Sequence, residues 1–239
     1  MNIKPEIIDE PENYETIKAN FADLYHNYPE VYDVFAKNQI MQSPLLDEIE
    51  GILTNYNLES GNCLDIGCGT GVMIEQLAQR FPKINFTGID PAITSLELAR
   101  KRCRSCENIS FEQSTIEALE NNNKKFDVVF STWGHIHWNE KGGIMEQVVH
   151  KDGIVILVNN WGEGDDFEKL WPQEPLKIFK TRRELLEKAE YEVKKIDSLL
   201  NLENASLFEA MSRIFGERPM KANRKSPFQI GIVLAWKQV

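Results

Sequence analysis

Apolar positions along this chain switch repeatedly between two periods. Cys63–Ile66 is a short apolar run closed by glycines, the pattern of a strand buried on both faces. From Val72 the apolar residues Met73, Ile74, Leu77, Ala78 and Phe81 recur at helical spacing. Ile84–Ile89 is rich in β-formers and ends at Asp90, so it reads as a second strand. Ala92–Cys103 places Ile93, Leu96, Ala99 and Cys103 on one face and leaves Arg100, Lys101 and Arg102 to solvent, which predicts a helix. A strand at Ile109–Phe111 and a short helix at Ile116–Glu120 follow. Phe126–Ser131 and Gly153–Asn159 read as buried strands separated by a helix over Gly142–His150. Beyond them the pattern predicts a helix at Thr181–Glu190, an extended Tyr191–Leu200, a helix at Ala205–Phe215 and a terminal strand at Phe228–Lys237. Strands alternating with helices imply βαβ units and a parallel sheet covered on both faces.

Residues 1–60 stand outside this alternation. They read as two or three helices leaning on the sheet, and they carry Tyr14, Phe21, Tyr25, Tyr28, Tyr32, Phe35 and Tyr56. Two readings stand for these aromatics: packing against the sheet, or a cap over a pocket.

The richest segment is Leu64-Asp65-Ile66-Gly67-Cys68-Gly69-Thr70-Gly71, which leaves a strand and opens a helix. In an open α/β sheet a ligand sits at that place, outside the carboxyl ends of the strands. Asp90 ends the second strand 19 residues after Gly71, where an acid can accept hydrogen bonds from ribose hydroxyls. A dinucleotide fingerprint needs its third glycine one position later, where Val72 stands, and a phosphate loop needs Gly-Lys-Ser/Thr. No Lys or Arg in the loop neutralises phosphate. A nucleoside-type ligand without phosphates remains, and Asp65 suits a cationic partner such as an α-ammonium group.

Asp65-Ile66-Gly67-Cys68-Gly69-Thr70-Gly71 closely resembles the first motif of class I S-adenosylmethionine-dependent methyltransferases. The resemblance continues over most of Gly61–Asn159. Gly88-Ile89-Asp90-Pro91-Ala92 is similar to that family's second motif, with Asp90 as the ribose-holding acid, and Phe111–Leu119 to its third. Phe126–Ser131 is similar to the fourth strand and Lys151–Val155 to the turn into the fifth. Two positions depart from the pattern: Ala92 replaces a helix-capping Ser, and Thr115 replaces an Asp beside the adenine amino group.

The resemblance implies a Rossmann-like doubly wound α/β sheet of seven strands, mostly parallel with the last antiparallel, under an N-terminal helical lid. Residues 1–60 would be that cap and 61–239 the methyltransferase domain, with core motifs over 61–159 and an inserted helix near 205–215. The implied cofactor is S-adenosyl-L-methionine, held by Asp65, Gly67, Cys68, Gly69, Gly71, Asp90, Pro91, Thr115, Ile116, Ser131 and Trp133. In the loop after the fourth strand, Trp133 and Trp138 can wall the sulfonium, and aromatic faces attract cations. His135, ahead of His137, is the candidate base, against a packing role for both. Methyl transfer rests mainly on alignment of donor and acceptor, so a strong base is not required. The carboxylates of Gly162–Phe167 either face the acceptor or open a helix. His26 and His150 are assigned no role.

Composition narrows the partners. A length of 239 residues suits one domain with additions, and 42% hydrophobic content permits a sizeable core. Lys+Arg 27 against Asp+Glu 37 gives a net charge of −10, which opposes nucleic acid and anionic membranes and favours a small-molecule acceptor. The alternatives are a nucleic-acid or protein methyltransferase, a nicotinamide-dependent oxidoreductase, which the loop spacing opposes, and a non-catalytic S-adenosylmethionine-binding module. The polar start of the chain and the lack of a run of about 18 apolar residues predict a cytoplasmic protein with reduced thiols. Cys103-Arg-Ser-Cys106 has the spacing of half a zinc site or a redox pair, but no second pair accompanies it, so the two read as small, partly buried residues at a helix end and no metal is expected.

Overall fold

A computed structural model describes residue 19 and residues 22–41, 44–119, 124–132, 148–161, 192–199 and 227–236. The expected helices at Thr181–Glu190 and Ala205–Phe215 fall outside these residues.

Residues 22–27 are helical, and two further helices precede the sheet: α1 (Pro29–Met41) and α2 (Leu45–Asn55). The α/β alternation then runs β1 (Gly61–Ile66), α3 (Val72–Arg80), β2 (Ile84–Asp90), α4 (Ile93–Arg102) and β3 (Ile109–Gln113). A one-turn 3₁₀ helix (Glu117–Leu119), β4 (Phe126–Thr132) and β5 (Val149–Trp161) follow. Strands β1 to β5 form a parallel sheet in the order β3-β2-β1-β4-β5. Two more extended segments, β6 (Glu192–Leu199) and β7 (Pro227–Trp236), lie C-terminal to it.

The sheet buries both faces, which is why β1 and β4 read as continuous apolar runs. One face presents Cys63, Phe86, Val128, Phe130, Ile154, Ile156 and Val158 to the helices. Against it α2 sets Leu45, Ile49, Ile52 and Leu53, and α3 sets Val72, Met73, Ile74, Leu77 and Ala78. Each fully buried side chain of this size is worth about 1.5–3 kcal/mol. The opposite face presents Leu64, Ile66, Ile89, Val129 and Val155 to Ile116, Leu119, Val148 and Val149. The corner between α3 and β2 is held by Asn108, whose Nδ2 donates to the carbonyls of Ala78, Phe81 and Ile84 at 3.2, 3.3 and 2.9 Å.

Strand β5 begins earlier than its apolar run. Val149 and His150, expected to end a helix, are strand residues: Val149 pairs with Phe126, and a register shift between Phe126 and Val128 absorbs the Lys151-Asp152-Gly153 turn. The short helix after β3 is tighter than expected, because Ala118 and Leu119 donate to carbonyls three residues back. Among the described residues no helix is long and apolar enough to cross a membrane.

Candidate active site

The order β3-β2-β1-β4-β5 reverses direction between β1 and β4, a switch point of the kind outside whose strand carboxyl ends ligands bind. The cleft there has a volume of about 200 Å³. It is lined by Ile66 and Gly67 at the end of β1, Ile89, Asp90 and Pro91 at the end of β2, and Thr132 at the end of β4. Gly69, Ser114, Thr115, Ile116 and Glu117 close its sides, and Tyr25 and Tyr32 from the N-terminal helices stand over it.

The glycine loop folds back on β2. The N–H groups of Gly67 and Cys68 both donate to the carbonyl of Ile89, at 2.8 and 3.0 Å. Gly67, Gly69 and Gly71 all have positive φ. At Gly69 (φ 52°) a Cβ would stand 3.2 Å from Tyr32 Cε1, so the bare backbone lets the ring close over the loop. At Gly71 (φ 77°), which caps α3, a Cβ would meet the Cβ of Ala99 at 2.9 Å.

Asp90 ties the loop to the second helix. One carboxylate oxygen accepts the Gly69 N–H at 2.9 Å and the other accepts the Ala92 N–H at 2.8 Å. Ala92 offers no side-chain cap to α4, so the Asp90 carboxylate beside it takes the local N–H. A carboxylate has about four acceptor positions. Two of them remain for hydroxyls of a ligand in the cleft. Burial raises the Asp90 pKa, and the Ala92 and Gly69 N–H groups and His26 pull it back down.

Asp65 sits deeper than the sequence suggested. It lies opposite Gly88 and Phe130 in the sheet, is 1% exposed, and does not line the cleft. Neither of its oxygens has a hydrogen-bond partner among the described residues. Burial first, then the Asp90 carboxylate, raises its pKa well above the ordinary range. Asp65 and Asp90 both act on the Tyr32 hydroxyl, whose pKa is raised chiefly by burial. The result is a cleft lined by the Asp90 and Glu117 carboxylates and two tyrosines, with Asp65 buried outside that lining and no Lys or Arg among the lining residues. That chemistry suits a cation and a diol, and it repels phosphate.

Of the sequence-predicted site residues, Gly67, Gly69, Asp90, Pro91, Thr115 and Ile116 line the cleft. Asp65, Cys68, Gly71 and Ser131 are buried in its supporting layer: Cys68 Sγ lies against Gly88, and Ser131 Oγ donates to the Ile66 carbonyl at 2.7 Å. Trp133 and His135 lie outside the described residues, as do His137, Trp138 and Gly162–Phe167. Tyr25, Tyr32, Ile66, Ile89, Ser114, Glu117 and Thr132 also line the cleft and are not among the sequence-predicted site residues; for the two tyrosines the cluster of aromatics before β1 was the available signal. Cys63, Cys68, Cys103 and Cys106 are free thiols, and among the described residues no group of three or more potential metal ligands occurs.

Residues 63–150 match the family model described as a methyltransferase domain. The chain is 30% identical over 139 residues to malonyl-[acyl-carrier protein] O-methyltransferase 2 of Ilyobacter polytropus, covering 57% of this chain and 52% of that protein. Over 68 residues it is 38% identical to trans-aconitate 2-methyltransferase of Deinococcus radiodurans, covering 28% and 24%. The chain thus spans about half the length, or less, of these curated relatives. In fold it is similar to an S-adenosylmethionine-dependent methyltransferase from Thiobacillus denitrificans, solved in complex with S-adenosyl-L-homocysteine. The TM-score is 0.56, with 17% identity and coverage of 95% of this chain and 99% of that one.

Proposed function

Since residues 63–150 match a methyltransferase domain, we propose that the chain is a class I S-adenosylmethionine-dependent methyltransferase that transfers a methyl group from S-adenosyl-L-methionine to a small-molecule acceptor. The observation that carries this reading is Asp90. It is fixed by the Gly69 and Ala92 N–H groups, lines a cleft with a positive-φ glycine loop, and has about two of its four acceptor positions untaken by those bonds.

The cofactor supplies an activated methyl group on a sulfonium. The chain's residues bind and orient. Asp90 accepts hydrogen bonds from the ribose hydroxyls. Pro91, Thr115 and Ile116 flank the adenine side. Asp65, without a partner among the described residues, is the natural counter-charge for the α-ammonium group. Tyr25 and Tyr32 exclude water from above. Cys68, Gly71 and Ser131 shape the floor, Trp133 walls the methyl group, and His135 accepts a proton from acceptors that carry one. With the parts so aligned, proximity provides much of the rate.

In the same reading, residues 1–60 are a helical cap on a methyltransferase domain over 61–239, whose sheet has seven strands with the last antiparallel. The antiparallel registers Ile154↔Trp236 and Glu192↔Leu234 support that completion. The protein works in the cytoplasm, on an acceptor that is not nucleic acid. A second reading, an acyl group presented on a carrier protein, is favoured by the malonyl-[acyl-carrier protein] O-methyltransferase among the relatives.

The test is release of S-adenosyl-L-homocysteine from S-adenosyl-L-methionine in the presence of carboxylate, amine, hydroxyl and thiol acceptors, free and carrier-bound. Acceptor-dependent release supports the proposal. Cofactor binding with no release on any acceptor overturns it in favour of a binding module.

A further inference from the structure

Helix α1 lies outside the matched residues 63–150, yet it is bonded directly into the glycine loop. Asp33, 8% exposed, accepts the Thr70 Oγ1–H at 2.6 Å and Arg102 Nη2 at 2.5 Å on one oxygen. Lys37 Nζ lies 2.8 Å from the other. Arg102 donates through Nε to the Thr70 carbonyl at 2.9 Å, and its Nη1 lies 3.6 Å from Glu75. Thr70 stands between Gly69 and Gly71, the residues with the greatest backbone freedom in the loop. Its hydroxyl and its carbonyl are both held by this junction.

The same helix carries one of the two tyrosines that roof the cleft, and the helical residues 22–27 before it carry the other. Tyr32 precedes Asp33, packs against Gly69 and lines the cleft. Tyr25 is fastened at the other end of α4: Ser95 Oγ donates to the Tyr25 carbonyl at 2.6 Å, and Thr94 Oγ1 to the His26 carbonyl at 2.5 Å. Both tyrosines are therefore located by bonds to α4, and one of those anchorages passes through Thr70.

A buried ion pair of this kind adds little net stability, because desolvation offsets the attraction. Its place in the loop says more. Resting on the reading of this loop as the cofactor site, we propose that Asp33 is a positioning residue. Acting through Thr70, it holds the Gly69 N–H and the Tyr32 ring in the geometry that binds the cofactor, so the N-terminal helix is part of the cofactor site.

Calorimetric titration of the full chain with S-adenosyl-L-homocysteine tests this with Asp33→Ala, Thr70→Val and the double variant. A buried hydrogen bond to a charged group is worth about a tenfold change in affinity or more. Each single variant is expected to weaken binding about tenfold, and the double variant no more than the weaker single. Arg102→Lys, which keeps charge but loses the fork, is expected to weaken binding several-fold and serves if Asp33→Ala does not fold. Glu50→Ala, which breaks the Arg80–Glu50 pair at 2.9 Å elsewhere on the surface, leaves affinity unchanged. Single effects that multiply in the double variant, or lowered melting temperatures with unchanged affinity, overturn the proposal. If the wild-type chain shows no binding, the cofactor reading beneath it fails instead.

Discussion

Replacing Asp65 with Asn should move stability and binding in opposite directions. The wild-type carboxyl is 1% exposed, and neither oxygen has a hydrogen-bond partner among the described residues. Burial and then the Asp90 carboxylate raise its pKa well above the ordinary carboxyl range. A group whose folded pKa is raised contributes its full stability below the unfolded pKa and loses it as pH rises toward the folded one. Above about pH 4 the unfolded chain releases a proton that the folded chain holds or gives up only at a cost. Holding it at pH 7 costs at most about 4 kcal/mol, at about 1.4 kcal/mol per pH unit. Asn keeps the shape and removes the titration, while its own unpaired amide costs about 1–3 kcal/mol. The net expectation at pH 7 is a gain of at most about 1–3 kcal/mol, or about 2–4 °C of melting temperature for each kcal/mol in a chain of this size. Near pH 4 the titration contribution disappears and the amide cost remains, so the variant should be less stable than wild type by about 1–3 kcal/mol. Affinity for S-adenosyl-L-homocysteine should fall at least about tenfold, because Asn, unlike the carboxyl, cannot ionise when the ammonium group arrives beside it. Thermal unfolding at pH 4 and pH 7, with ligand titration at pH 7, reads all three effects. An Asn variant less stable than wild type at pH 7 would refute the reasoning, since it would show that the carboxylate has a partner.

Two further substitutions or probes address the frame of the site. Gly71→Ala puts a Cβ at φ 77° and 2.9 Å from Ala99 Cβ, and should cost about 2–4 kcal/mol in urea unfolding. Loss below about 0.5 kcal/mol would mean the α3–α4 contact is looser than described. Thiol labelling of the native protein with iodoacetamide at pH 8 should modify Cys106, which is partly exposed, before the three buried cysteines. Burial raises Cys63 and Cys68 well above the ordinary thiol range, and burial with Glu75 pushes Cys103 up to about 12. Early labelling of Cys63 by mass spectrometry would contradict the buried β1.

Local pattern was a good guide where one segment supplies its own signal. Helix α3 opens at Val72, as its apolar spacing indicates, and β2 starts at Ile84 and ends at Asp90, one residue past its apolar run. The glycine loop and Asp90 were legible because their chemistry depends on spacing along the chain. Three features were not. The depth of Asp65 was hidden because a strand buried on both faces has no alternation to show which way a side chain turns. The early start of β5 depends on the Val149–Phe126 pairing, which no local pattern encodes. The junction of Asp33, Thr70 and Arg102 joins residues 37 and 69 positions apart, and Asp33 alone resembles any solvated acid on a helix. Tyr25 and Tyr32 were visible as members of an aromatic cluster, but only the packing of Tyr32 on Gly69 and the bonds of Ser95 and Thr94 to the Tyr25 and His26 carbonyls separate them from the rest.

The central claim is that the cleft at Gly69 and Asp90 binds S-adenosyl-L-methionine through Asp90. Calorimetric titration of wild type and Asp90→Ala with S-adenosyl-L-homocysteine measures this most directly. The account predicts one site per wild-type chain, and a loss of at least about a hundredfold in the variant, which forfeits two ribose hydrogen bonds to a charged group and the Gly69 anchor. No binding to the wild type, or equal binding to both proteins, would contradict it.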